Sequence, residues 1–135
     1  MGLRWLRYVW ASPATAIGLV AVLAGCLTGG RARIIAGVIE VQGGIVTGIL
    51  RRRLPFVGAG AAMTLGHVIL GRNEECLQRS RSHEHVHVRQ YERLGPFMLP
   101  LYLLASAVLY ARGFDPYLDN PFEQEAFERS DSRSE

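Results

Sequence analysis

The sequence predicts an α+β domain behind an N-terminal apolar helix, and three observations predict it. Residues 11–30 carry no charge. Residues 33–70 alternate short β-branched runs with glycine breaks. Beyond Asn73 lies a long polar helix pattern holding His83-Glu84-His85-Val86-His87. A chain of 135 residues supports one modest domain with one core. Its apolar residues gather in 13–30, 34–70 and 96–111, leaving 71–95 and 112–135 polar. That blocked distribution suits a protein attached to a membrane. The expected organisation is an anchor or signal segment over 1–32, a folded domain over 33–127, and a tail over 128–135 too polar to support a core and expected to be disordered.

The N-terminal segment begins with Arg4 and Arg7 among Trp5, Tyr8 and Trp10, and Arg31 and Arg33 follow its uncharged stretch. About 20 apolar residues cross a bilayer, and aromatics favour the headgroup level. A secretory signal has a similar plan, and Leu23-Ala24-Gly25-Cys26 resembles a lipobox whose cysteine would carry lipid. Apolarity continues past Cys26 to Gly30, which favours an uncleaved anchor. Membrane lipid is the expected partner on both readings.

The net charge is +3, and every basic residue is arginine. Arg51, Arg52 and Arg53 form the one basic run and sit beside an apolar stretch, where lipid headgroups suit them. No basic stripe with interleaved aromatics accompanies them, so nucleic acid is not an expected partner. Cys26 and Cys76, one in an apolar and one in a polar segment, suggest neither a disulfide nor a metal pair.

In the middle, 33–42 reads as a strand ending at Gly43-Gly44, 45–50 as another strand or a short apolar helix, and 61–70 as a third strand. A small antiparallel or mixed sheet follows. His67 on that third strand is read as a packed or solvent-facing side chain, not a ligand. Asn73 then caps a helix whose first turn carries Glu74 and Glu75, and Gly95-Pro96 stops it. Cys76, Ser80, His83, His87, Tyr91 and Leu94 share one face, so two histidines point inward.

His83-Glu84-x-x-His87 fits the HExxH pattern. Residues four apart are helical neighbours, so both imidazoles reach one Zn²⁺ at about 2.0–2.1 Å. Glu84 projects about 100° round the helix, beside the metal, where it can act as general base toward a bound water. His85, about 200° round, points away. A catalytic zinc takes a third protein ligand. Arg93 occupies the place six residues beyond His87 where a third histidine would stand in one zinc-protease class. The later segment Asn120-Pro121-Phe122-Glu123-Gln124-Glu125-Ala126-Phe127, capped by Asn120 with Pro121 at its first position, offers carboxylates instead.

The stretch 82–92 (SHEHVHVRQYE), an apolar segment, and then Glu123-x-x-Ala126 together resemble the gluzincin membrane peptidases, including the compact minigluzincins. The resemblance spans about residues 61–127. It implies Glu123 as the third zinc ligand with Glu125 in reserve, and peptide or protein as substrate. The family's motif continues with an aspartate, and here Phe127 takes that place.

Residues 96–111 are apolar but number only 16, and Pro100 interrupts them. Were they to cross a bilayer, His83 and His87 would lie on one side and Glu123 on the other. An in-plane or packed helix that returns the chain is therefore expected. Tyr110 and Tyr117 are candidate donors to a transition state. The leading expectation is a membrane-anchored zinc metallopeptidase. The alternatives are a zinc-stabilised membrane protein without catalysis and a small membrane scaffold without metal.

Overall fold

A computed structural model of the protein describes residues 4–52 and 61–134. Helix α1 (Arg4–Leu27) leads into a hairpin of β1 (Arg31–Ile35) and β2 (Val38–Gln42), then helix α2 (Gly44–Arg51). A second hairpin, β3 (Ala62–Leu65) and β4 (Val68–Gly71), precedes helix α3 (Glu74–Leu94). A short 3-10 turn joins α3 to α4 (Met98–Ala111), and α5 (Pro121–Ser134) closes the chain. The sheet order is β1-β2-β4-β3. Both hairpins are antiparallel, and the parallel pair β2–β4 joins them, with Ile39 opposite Val68. The sheet is therefore mixed.

Two strand expectations need correction. Residues 33–42 do not form one strand: the chain reverses at Ala36-Gly37, both at positive φ (53° and 78°). That backbone matches the twist of a tight hairpin. Residues 61–70 likewise fold back at Gly66, whose φ is 62°. Residues 45–50, left open between strand and helix, are helical.

Period-2 alternation on β4 sorts the core into two layers. Val68 and Leu70 face α1 and α2, packed with Val41, Val46, Leu50 and Leu65. Ile69 faces α3, packed with Val38, Leu77 and Val88. Helix α1 is integral to this fold. Its small residues, Ala11, Ala14, Gly18 and Gly25, turn toward the domain, and a Cβ on Gly18 would stand 2.6 Å from the Cβ of Val68. The outer face presents Val20, Leu23 and Leu27, each more than 60% exposed. Two helical stretches, Trp5–Leu27 and one within the continuous run Glu74–Ala111, are long and apolar enough to cross a membrane.

On α4 only the stripe Met98, Tyr102 and Ser106 is buried. The segment after it doubles back: the Ser106 hydroxyl donates to the carbonyl of Pro116 at 2.9 Å. Asn120 then donates to Ser106 Oγ at 2.8 Å and caps α5 by accepting from the Phe122 amide at 2.9 Å. This return lays α5 against α3, as the ligand argument required of residues 96–111. Helical backbone is described to Ser134.

Candidate metal centre

Helix α3 starts where the sequence places it. Asn73 accepts from the Cys76 amide at 2.8 Å, and Gly95, at φ 55°, ends the helix. Because the sheet covers one side of α3 and α5 the other, its buried surface is broad. It includes His83, Glu84, His87, Gln90 and Tyr91. A helix with so polar a composition can be buried this deeply only if those groups find partners.

They do, at one point. His83 Nε2 lies 2.9 Å and His87 Nε2 3.0 Å from the same oxygen, Glu123 Oε1. The other carboxylate oxygen, Glu123 Oε2, accepts from the Tyr102 hydroxyl at 2.5 Å. Glu84 stands alongside: its Oε1 accepts from Thr64 Oγ1 at 2.8 Å, and its Oε2 is 3.9 Å from His83 Nε2. The ligand atoms of His83, Glu84 and His87 all lie within 4.8 Å of one another, and all three residues are buried.

The proton positions around His87 can be worked out. Gln90, fully buried, has its amide nitrogen on two acceptors, the Phe122 carbonyl (3.0 Å) and Glu125 Oε1 (2.7 Å). Its amide oxygen therefore faces His87 Nδ1 at 2.8 Å, so Nδ1 carries the hydrogen. A neutral His87 then aims the lone pair of Nε2 at a carboxylate oxygen, an arrangement that needs a proton or a metal cation between them. Without metal the proton serves. Burial opposes charge on His87, but the hydrogen bond it donates to Glu123 and the charges of Glu84 and Glu123 outweigh it and push its pKa up to about 9. Burial would raise Glu123 too, yet its bonds to His83, His87 and Tyr102 hold it down to about 2. Glu84 moves the other way: burial, the largest influence, lifts its pKa above the ordinary carboxylate value.

The donor set fits a divalent cation. Ligands at about 2.0–2.2 Å in tetrahedral array stand about 3.3 Å from one another, so small side-chain shifts would convert the hydrogen-bonded triad into a coordination sphere. His87 already has the outer partner that metal-bound imidazoles take.

Of the residues singled out from sequence, His83, Glu84, His87 and Glu123 come together. Tyr117 lines the same cleft, with its phenol pushed above its usual pKa by burial first and then by the charges of Glu123 and Glu84. Two expectations fail. Glu125, about 200° round α5 from Glu123, accepts from Gln90 and from Arg93 (2.8 Å) and is no reserve ligand. Tyr110 lies at the far end of α4, 66% exposed, away from the cleft. His67 is packed, as expected: its Nε2 sits 2.8 Å from Glu92 Oε2 and its ring stacks on Tyr8 at 4.0 Å. His85 is not among the clustered ligands.

Sequence reasoning missed Gln90 and Tyr102. The four-residue step Met98-Tyr102-Ser106 in an apolar segment was the available signal for Tyr102. For Gln90 the signal was its spacing, three residues after a candidate ligand and so on the same helix face. Phe127, at the motif's aspartate position, packs its ring 4.5 Å from that of His83. The outer-shell polar contact thus goes to the other histidine, from α3 itself. No protein-family model, curated protein or solved structure matches the chain.

Proposed function

We propose that the chain is a membrane-associated zinc metallopeptidase of gluzincin type. The observation that carries this is the meeting of His83 Nε2, His87 Nε2 and Glu123 Oε1, from two helices, with Glu84 beside them. Two imidazoles and one carboxylate are a catalytic zinc ligand set. Zinc held there would supply Lewis acidity to a scissile carbonyl and lower the pKa of water.

The protein's own groups supply the rest. Glu84 is positioned as general base, beside the two imidazoles, to accept a proton from water and deliver it to the departing amine. Thr64 orients that carboxylate through Oγ1. Tyr102 fixes the plane of Glu123 through Oε2, and Tyr117 is a phenol donor facing the cleft. Strand β3 is the outer strand of the sheet, and Ala62, Met63 and Thr64 line the cleft. Its outer edge, unpaired among the described residues, can pair with an extended peptide beside Glu84. The exposed apolar faces of α1 and α4 support attachment to a membrane.

Metal content of the purified protein and a peptide-library screen test this. Near-stoichiometric zinc is expected, and Glu84→Gln should keep the zinc while lowering cleavage by about 10²–10⁴-fold, the range of general-base catalysis. Undiminished cleavage in that variant would overturn the mechanism. A second reading, a zinc-stabilised protein without catalysis, is favoured by Phe127 standing where a carboxylate would be. Unfolding on chelation, with no peptide cleaved by the zinc-loaded protein, would support it.

A further inference from the structure

We propose that the cleft between the first turns of α1, the last turns of α3 and the middle of α5 binds the phosphate of an anionic lipid headgroup. Four arginines from three helices converge there: Arg7 from α1, Arg89 and Arg93 from α3, and Arg129 from α5. Glu92 and Glu125 are the acidic groups lining it. Both are committed elsewhere in part. Glu92 Oε2 holds His67 Nε2 at 2.8 Å. Glu125 is shared by Arg93 (2.8 Å), Arg129 (3.4 Å) and Gln90 (2.7 Å). Among the described residues, four guanidinium groups and two carboxylates line this one concave place. Guanidinium forks match the geometry of phosphate oxygens.

Charge alone would suit any phosphate. The surroundings select a lipid. Trp10 donates its indole Nε1–H to the carbonyl of Arg93 at 3.1 Å, which fixes an aromatic ring at the rim of the cleft. Phe97 lies 6.2 Å from that ring, and Trp5, Trp10 and Phe97 are 60%, 43% and 60% exposed. Exposed tryptophan beside arginine marks the level of lipid headgroups, with acyl chains on one side and water on the other. From Ala11 onward α1 continues without charge, its bulky side chains turned outward. Along α1, arginines and aromatics interleave over residues 4–10 and an uncharged stretch follows, the order of headgroup level and hydrocarbon in half a bilayer. Arg7 belongs to this site although it stands on the domain side of α1.

The inference rests on membrane association and not on zinc chemistry, so the two are separable. Full-length protein in non-ionic detergent is titrated with short-chain phosphatidylglycerol, with short-chain phosphatidylcholine and with inorganic phosphate. The readout is emission from Trp5 and Trp10, the chain's two tryptophans. Saturable binding of phosphatidylglycerol is expected, at concentrations where the other two give no signal, and weakening with added salt. Removing each arginine should weaken it about fivefold, so Arg7→Gln with Arg129→Gln should lose about 25-fold. Arg7→Lys with Arg129→Lys keeps the charges and should retain most of the binding. Far-UV circular dichroism and the urea midpoint of the same samples show whether each variant is folded. Equal response to phosphatidylcholine, equal affinity for free phosphate, or a folded double Gln variant that binds like wild type would each overturn the proposal.

Discussion

Histidine meets carboxylate at two buried places among the described residues, at nearly equal distances, and the two places are not alike. At the sheet, His67 Nε2 meets Glu92 at 2.8 Å, a single pair closed over by the ring of Tyr8. Among the described residues its Nδ1 has no hydrogen-bond partner. Between α3 and α5, two imidazoles meet one carboxylate oxygen at 2.9 and 3.0 Å, and Gln90 fixes the hydrogen on His87 Nδ1. The first contact joins two elements. The second places two lone-pair donors and an anion around one point, an arrangement that a single proton satisfies only for one imidazole at a time. Convergence and an outer partner distinguish a metal site from a structural histidine; burial alone does not.

The sharpest break of this comparison is metal binding. His87→Ala and Glu123→Ala should each reduce zinc from near one equivalent to a small fraction, measured by elemental analysis after native purification, because each leaves two protein ligands. His67→Ala should not alter it. Zinc indifferent to Glu123 would mean that α3 and α5 are held by hydrogen bonds alone. A smaller effect is expected one shell out. Gln90→Leu keeps the volume but deprives His87 Nδ1 of its acceptor, and should weaken zinc affinity by about 10–100-fold in competition with a chelating dye.

How much of this was legible in the sequence follows from how local each signal is. Asn73, the Glu74-Glu75 pair and Gly95 bounded α3 because capping acts within one turn. The four-residue step placed His83 and His87 together for the same reason. Glu123 needed more, the resemblance in its motif; the requirement that three ligands lie on one side of a membrane then decided how residues 96–111 were read, not which ligand was chosen. The choice of Glu123 over Glu125 depends on how α5 docks, and only the fold decides it. Both hairpin turns escaped notice. Ala36 at positive φ carries no local signature, and Gly66 sits inside a run that reads as continuous strand. The length of α1 was plain, but not that Ala11, Ala14 and Gly18 form a face seated against the rest of the fold. Small residues in an apolar helix suit a lipid-facing or a close-packed position equally well.

The cluster between α3 and α5 also predicts opposite responses of stability to pH with and without zinc. In metal-free protein, Glu123, held down to about 2, contributes stability above the unfolded value near 4.5 and loses it as pH falls toward 2. His87, raised to about 9, contributes stability below its unfolded value of 6.5 and loses it as pH rises through 9. Metal-free protein should therefore be most stable between about pH 4.5 and 6.5 and melt progressively lower above that. Zinc needs a neutral imidazole, so the increment in Tm on adding zinc should grow over that same rise from 6.5 to 9. A zinc increment independent of pH would place the metal away from His87.

The smallest effect sharpens the comparison from the structural side. His67→Phe keeps a flat ring against Tyr8 and removes only the bond to Glu92, whose carboxylate is 18% exposed. The loss of a partly screened, charge-assisted hydrogen bond should cost about 1–2 kcal/mol, read as a lower urea midpoint with unchanged slope. Because Glu92 also lines the arginine cleft, its release from His67 adds no charge there but frees a carboxylate to meet a neighbouring guanidinium. The variant should thus bind zinc like wild type while binding phosphatidylglycerol slightly less well. If zinc falls with His67, the two histidine clusters are coupled through α3, and the helix carries more between them than the packing of separate sites.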